Sequence, residues 1–370
     1  NMNHMFSDTK ISTLDLSSFN TNKVIDMGYM FNNLKVKLLN LNSFDTSKVT
    51  GMRGMFSRCE AIEIKGLDKF NTSNVIDMVS MFENSKAESL NLNSFDTSKV
   101  TSMSYMFSKS VATEIKGLDK FNTSNVTNMI NMFENSKAES LNLNSFDTSK
   151  VTDMSYMFLN SSATEIKGLD KFNTSKVTNM NYMFSSTKTA GLDLSSFDTS
   201  KVTDMSGIFW LAETKSIDLT SFDTSNVTSM SGMFTGSVAT EIKGLDKFNT
   251  SKVTNMSHMF SGSKAAYLDL SSFDTSNVVN MSGMFNSTAT TEIKGLDKFN
   301  TSKATNMNRM FSNTKTSILD LSSFDTSKVT DMGYMFSDTK ATIGYARTQT
   351  DANKFNASSY KPSSLTFVVK

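Results

Sequence analysis

The residues of this chain that are best suited to chemistry are its 27 methionines. They recur three residues apart before a phenylalanine, as in Met52, Met55 and Phe56, and aligned thioethers can bind a soft metal such as Cu(I). Each pair, however, shares its stripe with an equally spaced valine, such as Val49. An apolar stripe of this kind is typical of a packed interior, in which methionine fills gaps. The methionines therefore predict a core and no metal site.

A threonine lies two residues after the first phenylalanine of every repeat copy, from Thr21 to Thr326. One threonine per coil would form a ladder at about the spacing of strands, and such a ladder could order water or ice. The alternative is that each hydroxyl satisfies backbone amides in a turn or cap. The second interpretation is favoured because only one threonine file is invariant and lysine or asparagine follows nearby.

The aspartates and asparagines next to these threonines, such as Asp45 and Asn71, offer oxygen ligands of the kind that calcium prefers. Calcium-binding repeats combine such residues with glycine-rich turns, and glycine is missing here, so turns and helix caps are the favoured role. Catalysis has little material, since the chain contains two histidines and one cysteine. His4 and His258 are isolated, and Cys59 reads as a small half-buried thiol. No enzyme, cofactor or metal is predicted.

The best candidates for a binding surface are charged residues at outward positions of predicted strands. We expect them on the concave face of a curved array, where they suit a polar protein or a glycan. They are Asp15, Asp193, Asp218, Asp269, Asp320, Lys65, Lys116, Lys167, Lys243 and Lys294.

A second, scattered set consists of tyrosines that share a position two residues before the final phenylalanine of a copy. Other copies hold glycine, serine, asparagine, histidine or arginine at this position, so we expect it to be exposed. Exposed aromatic side chains can bind sugar or protein, although solvated decoration is the simpler interpretation. The set is Tyr29, Tyr105, Tyr156, Tyr182 and Tyr334.

These residues belong to a block of the form Phe-Asx-Thr-Ser-x-Val-x-x-Met-x-x-Met-Phe, which recurs thirteen times at intervals of 25 or 26 residues. That period is typical of a solenoid. Alternating leucines before the first phenylalanine, such as Leu90 and Leu92, predict a short strand. The stripe from Val49 to Phe56 predicts a short helix. We therefore expect an α/β, leucine-rich-repeat-like curved array, with a parallel sheet on its concave side and short helices on its convex side.

Two kinds of copy are interleaved. Short copies read Leu-Asp-Leu-Ser-Ser-Phe, as at 192–197, and long copies read Glu-Ile-Lys-Gly-Leu-Asp-Lys-Phe, as at 165–172. The glycine of the long copies is expected at a tight bend that absorbs the extra residue. Residues 1–340 form the predicted solenoid, with a truncated first copy. Residues 341–370 are interpreted as a C-terminal cap or the start of another domain, because terminal repeats need covering.

The string Phe-Asp-Thr-Ser-Lys-Val-Thr-Asp-Met-Ser-Tyr-Met-Phe at 146–158, preceded by Leu-Asn-Leu-Asn-Ser, resembles the BspA-like leucine-rich repeats of bacterial surface proteins. Residues 346–359 look like a segment that follows such repeats in cell-wall-associated proteins. The resemblance implies export, display on the cell surface by a wall or lipid anchor in the full-length protein, and attachment to a host. It implies no catalytic residues.

The function predicted from the sequence is adhesion to a host or matrix protein or glycan. The alternative is a passive stalk that holds a distal domain away from the cell wall, which near-identical copies favour: residues 83–107 and 134–158 differ only at Ser102 and Asp153. A monomer is expected. Nucleic-acid binding is disfavoured because 37 basic and 36 acidic residues leave a net charge of +1 without a basic stretch. No run of apolar residues is long enough to cross a membrane.

Overall fold

The computed structural model describes residues 1–370 and divides into two compact units. Unit 1 comprises Asn1–Val177 and Thr187–Leu192, and unit 2 comprises Thr178–Ser186 and Asp193–Lys370. In each unit successive copies form parallel coils, about thirteen in all, that hydrogen-bond to the coils before and after. The prediction of a leucine-rich-repeat-like solenoid with parallel strands is confirmed.

Each strand is three or four residues long. The side chain of its first residue points outward and that of its second residue points inward. Short and long copies pair in parallel as β1 with β2, β3 with β4, β5 with β6, β7 with β8, and β9 with β10. The strands are β1 (Leu38–Asn40), β2 (Glu63–Lys65), β3 (Ser89–Asn91), β4 (Glu114–Lys116), β5 (Ser140–Asn142), β6 (Glu165–Lys167), β7 (Ser216–Asp218), β8 (Glu241–Lys243), β9 (Tyr267–Asp269), β10 (Glu292–Lys294), β11 (Ile318–Leu321), β12 (Ile343–Ala346) and β13 (Thr366–Val369).

The short helices predicted at the Val-x-x-Met-x-x-Met-Phe segments are wrong, because these segments are runs of turns. Two backbone positions in each segment are left-handed, as at Tyr29 (φ 51°) and Asn33 (φ 53°). The amides of these two residues donate to the next coil: Tyr29 N bonds to Arg53 O at 2.7 Å and Asn33 N bonds to Ser57 O at 2.9 Å. A helix would keep these bonds within one segment. The turns use them to join neighbouring coils.

The interior consists of the methionines and phenylalanines, as the sequence predicts. Twenty-four of the 27 methionines are buried, which leaves their sulfur atoms no access to a solvent-borne metal. Within each unit the second phenylalanine of a copy stacks on its equivalent in the next coil, with ring centroids 5.3 Å apart for Phe56 and Phe82 and 5.4 Å apart for Phe107 and Phe133. Stacking at such distances stabilises the fold beyond what burial of the rings alone contributes.

The invariant threonines are buried and connect coils through their hydroxyls. Thr21 Oγ1 donates to the carbonyl of Asp45 at 2.9 Å, and Thr46 Oγ1 donates to that of Asn71 at 3.0 Å. This file is buried and therefore cannot present an ice-binding surface. The hydroxyls do bond to backbone groups, as expected, but to those of the next coil and not to a turn or cap of their own coil. The exposed threonine file lies four residues further on, as at Thr101 and Thr127, among isoleucine and valine.

The glycine of each long copy makes the predicted tight bend. Gly66, Gly117, Gly168, Gly244 and Gly295 have φ between 86° and 92° and each precedes a single turn of 3-10 helix. These turns are Leu67–Lys69, Leu118–Lys120, Leu169–Lys171, Leu245–Lys247 and Leu296–Lys298.

Residues 341–370 pack on the last coil of unit 2. Strands β12 and β13 extend the sheet of β11, and the one α-helix, α1 (Gln349–Asn356), covers the interior. Phe355 and Phe367 lie 5.7 and 4.8 Å from the ring of Phe336. The buried carboxylate of Asp351 accepts bonds from Thr326 N and Thr326 Oγ1. In other copies the equivalent hydroxyl, such as Thr46 Oγ1, bonds to the next coil. None of the helices has the length and apolarity that crossing a bilayer requires.

We expect the stability of the protein to fall at low pH because of the aspartate that follows the first phenylalanine of the short copies. Hydrogen bonds from the side chain and backbone of the serine two residues on lower the pKa of Asp45, Asp96 and Asp147. The unfolded pKa is about 3.9, so this stabilisation is fully present above that value and is lost as pH falls through the lower folded pKa values. We expect Tm to be steady from pH 7 to about 5 and to fall below about pH 4, measured by calorimetry.

Asparagine provides the control, since Asn71 and Asn122 accept the same backbone bond without titrating. A variant with asparagine at Asp45, Asp96 and Asp147 should lose less Tm between pH 5 and pH 2 than the parent protein. An equal loss in both proteins would contradict this origin of the acid sensitivity.

Candidate functional site

The candidate site is the strand face, which we define as the outward side chains at the first and third positions of β1 to β11. In β2, for example, Glu63 and Lys65 point outward while Ile64 is buried. This alternation follows from the two-residue period of a strand. The same alternation recurs in each coil, so the strand face repeats along each unit.

The structure places the predicted charged residues on this face in two groups. Asp218, Asp269 and Asp320 occupy the third positions of β7, β9 and β11, and the five lysines occupy the third positions of the long-copy strands. The parallel register puts Asp218 opposite Lys243 and Asp269 opposite Lys294.

Two predicted aspartates and one predicted pattern differ from expectation. Asp15 and Asp193 are exposed but lie in segments that form no strand. In unit 1 the lysines face asparagines, Asn40, Asn91 and Asn142, so opposite charges alternate between coils only in unit 2. The sequence indicates this difference, because the short copies that contain β1, β3 and β5 read Leu-Asn-Leu-Asn where those that contain β7, β9 and β11 have aspartate.

The aspartates of the strand face are held ionised. Lys294 Nζ lies 2.7 Å from Asp269 Oδ2, and its hydrogen bond together with that of Ser271 lowers the pKa of Asp269 to about 2. Hydrogen bonds from Thr220 lower the pKa of Asp218, with a smaller effect of Lys243. Burial opposes ionisation of Asp320, but bonds from Lys370 and Ser322 outweigh it and lower its pKa. These three aspartates are therefore ionised at neutral pH.

The glutamate at the first position of each long-copy strand also belongs to the face and was not predicted. Glu63, Glu114, Glu165 and Glu241 lie 3.7, 3.3, 3.4 and 3.8 Å from the lysine two residues later. Residues two apart in a strand share a face, so the Glu-Ile-Lys string could have revealed the pair. Exposed pairs of this kind contribute about 0–1 kcal/mol to stability, which leaves both charges available to a ligand.

Grooves open on the strand face where a long copy is followed by a short one. No strand pairing joins these two coils at this face, and the glycine bend of the long copy forms part of the groove lining. The grooves between β2 and β3, β4 and β5, β8 and β9, and β10 and β11 have volumes of about 350, 530, 410 and 500 Å³. Each is lined by the Ile-Lys-Gly-Leu-Asp run of its long copy, so they form a repeated polar site.

The five tyrosines lie on a different surface from the strand face, at the first left-handed position of the turn segment. Tyr105 and Tyr334 are 39% exposed, whereas Tyr29, Tyr156 and Tyr182 are half-buried. The variety of residues at this position reflects its left-handed backbone, which favours glycine and asparagine. The prediction that variety means exposure is only partly correct. The tyrosines do not converge on one site.

The remaining candidates for chemistry are isolated. Cys59 is fully buried, not half-buried, and burial raises the pKa of its thiol to about 11. Such a thiol is unreactive near neutral pH. No three His, Cys, Asp or Glu side chains come together in a way that could hold a metal ion. The strand face is the extended polar surface that the geometry offers.

Comparison with known proteins places the chain in a family. The sequence profile described as "Mycoplasma protein of unknown function, DUF285" matches residues 1–117, 50–167, 135–243 and 236–348. No protein of curated function matches. A crystal structure of a leucine-rich repeat protein from Bacteroides ovatus ATCC 8483 is similar, with a TM-score of 0.39 and 11% identity over 94% of this chain and 88% of the other. The profile matches run through nearly all the coils, and the chain belongs to the DUF285 family.

Proposed function

We propose that this chain is the repeat region of a bacterial cell-surface protein and presents a non-catalytic binding face for adhesion to a host or matrix protein or glycan. One observation carries the proposal: the strand face repeats exposed charges and polar grooves coil after coil. The resemblance of the repeats to BspA-like surface proteins supports export and display. A protein that adheres through such a face needs many weak contacts and no singular reactive group.

The lysines of the strand face test this proposal. Replacing Lys65, Lys116, Lys167, Lys243 and Lys294 by glutamine removes five charges from the face. We expect binding of the purified protein to host cells and immobilised matrix components to fall at least tenfold. Four of these ammonium groups line the grooves, and the fifth, Lys167, occupies the same position of β6. Surface plasmon resonance and a cell-adhesion assay measure the effect.

A matched control removes the same charge elsewhere. Lys86, Lys137, Lys188, Lys264 and Lys315 are exposed, and each lies nine residues before the first phenylalanine of a short copy. Their replacement by glutamine should leave binding within twofold of the parent protein. Equal losses in the two variants would mean that net charge, rather than the strand face, determines adhesion.

The second candidate function is a passive stalk. The near-identity of residues 83–107 and 134–158 favours it, because a specific binding surface diverges between copies. Deleting residues 84–134 joins Glu83 to Asn135 within matching sequence and keeps the register of the coils. Binding that survives both the deletion and the five-lysine change would support the stalk.

A further inference from the structure

The strand face of unit 2 departs from the repeat at two first-strand positions. Tyr267 begins β9 and Ile318 begins β11, where β3 and β5 of unit 1 begin with Ser89 and Ser140. Both side chains are unusually exposed for their type, at 46% for Tyr267 and 50% for Ile318. Large apolar side chains that replace serine in the same surface position add a contact area that folding does not require.

Each of these side chains forms a wall of a groove. Tyr267 lines the groove between β8 and β9 together with Lys243, Asp246 and Asp269. Ile318 lines the groove between β10 and β11 together with Lys294, Asp297 and Asp320. The two grooves therefore share a plan: one apolar wall, with ammonium groups and carboxylates around a backbone floor. The groove of Tyr267 has a second ammonium group, that of Lys247. We call them the walled grooves.

The chemistry of the walled grooves matches a pyranose ring. Such a ring has apolar faces that pack on aromatic or aliphatic side chains and a rim of hydroxyls that bond to charged groups. Lysines and aspartates are mixed in both grooves, and the 2.7 Å ion pair of Lys294 with Asp269 fixes part of this arrangement. The mixture gives no field of one sign, so it does not favour a polyanion or a polycation.

The spacing of the walled grooves selects a repeating ligand. They lie two coils apart, which is about 10 Å at the usual separation of parallel strands. Two pyranose rings of an extended, ribbon-like polysaccharide have a comparable length. Consecutive disaccharides of one chain can therefore occupy both grooves without a break.

We propose that the walled grooves bind an extended, uncharged polysaccharide, with Tyr267 and Ile318 packing on sugar rings one disaccharide apart. This inference rests on the proposed binding function and names its ligand class. The grooves of unit 1, which lack such walls, make no more than a weak contribution.

Isothermal titration calorimetry of the full chain tests the proposal with four probes: cellobiose, cellohexaose, its N-acetylated counterpart chitohexaose, and maltohexaose. We expect at least one ribbon-shaped hexaose to bind at least tenfold more tightly than cellobiose, because it engages both grooves. Maltohexaose has the same composition as cellohexaose but coils, and should bind at least tenfold more weakly than the preferred ribbon.

The double variant Tyr267→Ser and Ile318→Ser converts both walls to the residue found at Ser89 and Ser140, so it should fold. We expect it to lose at least tenfold in affinity for the ribbon-shaped hexaose. Tyr105→Ser, on the turn surface where Ser80 stands in another copy, is the control and should bind normally.

Full affinity in the double variant, or equal affinity for cellohexaose and maltohexaose, would overturn the proposal. So would the absence of binding by every hexaose. If host cells still bound the parent protein and the five-lysine variant had lost that binding, only the ligand class would be wrong. If the five-lysine variant also bound host cells normally, the proposed function itself would fail.

Discussion

Gly117→Ala is expected to lower the free energy of unfolding of unit 1 by about 3 kcal/mol or more. Gly117 has φ 92°, a region that residues with a Cβ avoid at a cost of about 1–3 kcal/mol. A Cβ there would lie 2.7 Å from the carbonyl carbon and oxygen of Leu92 in the preceding coil. Main-chain atoms of a paired coil cannot move aside as a side chain can, so steric strain adds to the conformational cost.

Urea unfolding followed by circular dichroism measures this effect, and Gly191→Ala is its control. Nothing lies within 4 Å of a Cβ built on Gly191, and its backbone is not left-handed. The control should change stability by less than about 0.5 kcal/mol. A loss below about 1 kcal/mol for Gly117→Ala would mean that the bend relaxes easily and avoids the clash with Leu92.

The coils themselves were predictable because the repeat encodes burial directly. Leu90 and Ile115 alternate with polar neighbours, and the structure buries both side chains. The spacing of valine, methionine and phenylalanine likewise predicts an interior, whatever backbone carries it. Burial depends on which side chains are apolar, and this information is complete in the sequence.

The backbone of the turn segment was not predictable from the same stripe. Apolar residues at i, i+3, i+6 and i+7 fit a helix, but the two left-handed positions exclude one. The signal was present in the residues at those positions: Gly54 replaces Tyr29, and Asn33 recurs as Asn84. Glycine and asparagine tolerate left-handed backbone, whereas a helix interior disfavours them.

The strand face was predictable in its residue types but not in its contacts. Placing Lys294 beside Asp269 requires the register between a short and a long coil, which the parallel pairing of β9 with β10 provides. The bond from Lys370 to Asp320 joins residues 50 positions apart and depends on how residues 341–370 fold back. Position on a face follows from a two-residue period, whereas a pairing across coils requires three-dimensional coordinates.

Phe133→Ala is expected to destabilise unit 1 by about 3–5 kcal/mol, the usual cost of removing a buried phenylalanine. Phe133 is fully buried and stacks on Phe107 at 5.4 Å and on Phe158 at 5.8 Å. One substitution therefore weakens two interfaces between coils. In a repeat protein the interfaces between neighbours supply the cooperativity, so unfolding in urea should also become broader.

Hydrogen exchange distinguishes this local effect from a general loss of stability. Phe107 N donates to Met132 O and Phe133 N donates to Met157 O, so both amides report on the weakened interfaces. In the Phe133→Ala variant these two amides should lose more protection, relative to the parent protein, than the amides of the coils near residue 30. Met106→Ile is the control, because Ile208 is fully buried at the equivalent position of another copy, and it should cost less than about 1.5 kcal/mol. Uniformly faster exchange along the unit would show that the coils unfold as one body and that stacking between neighbours is not the limiting interaction.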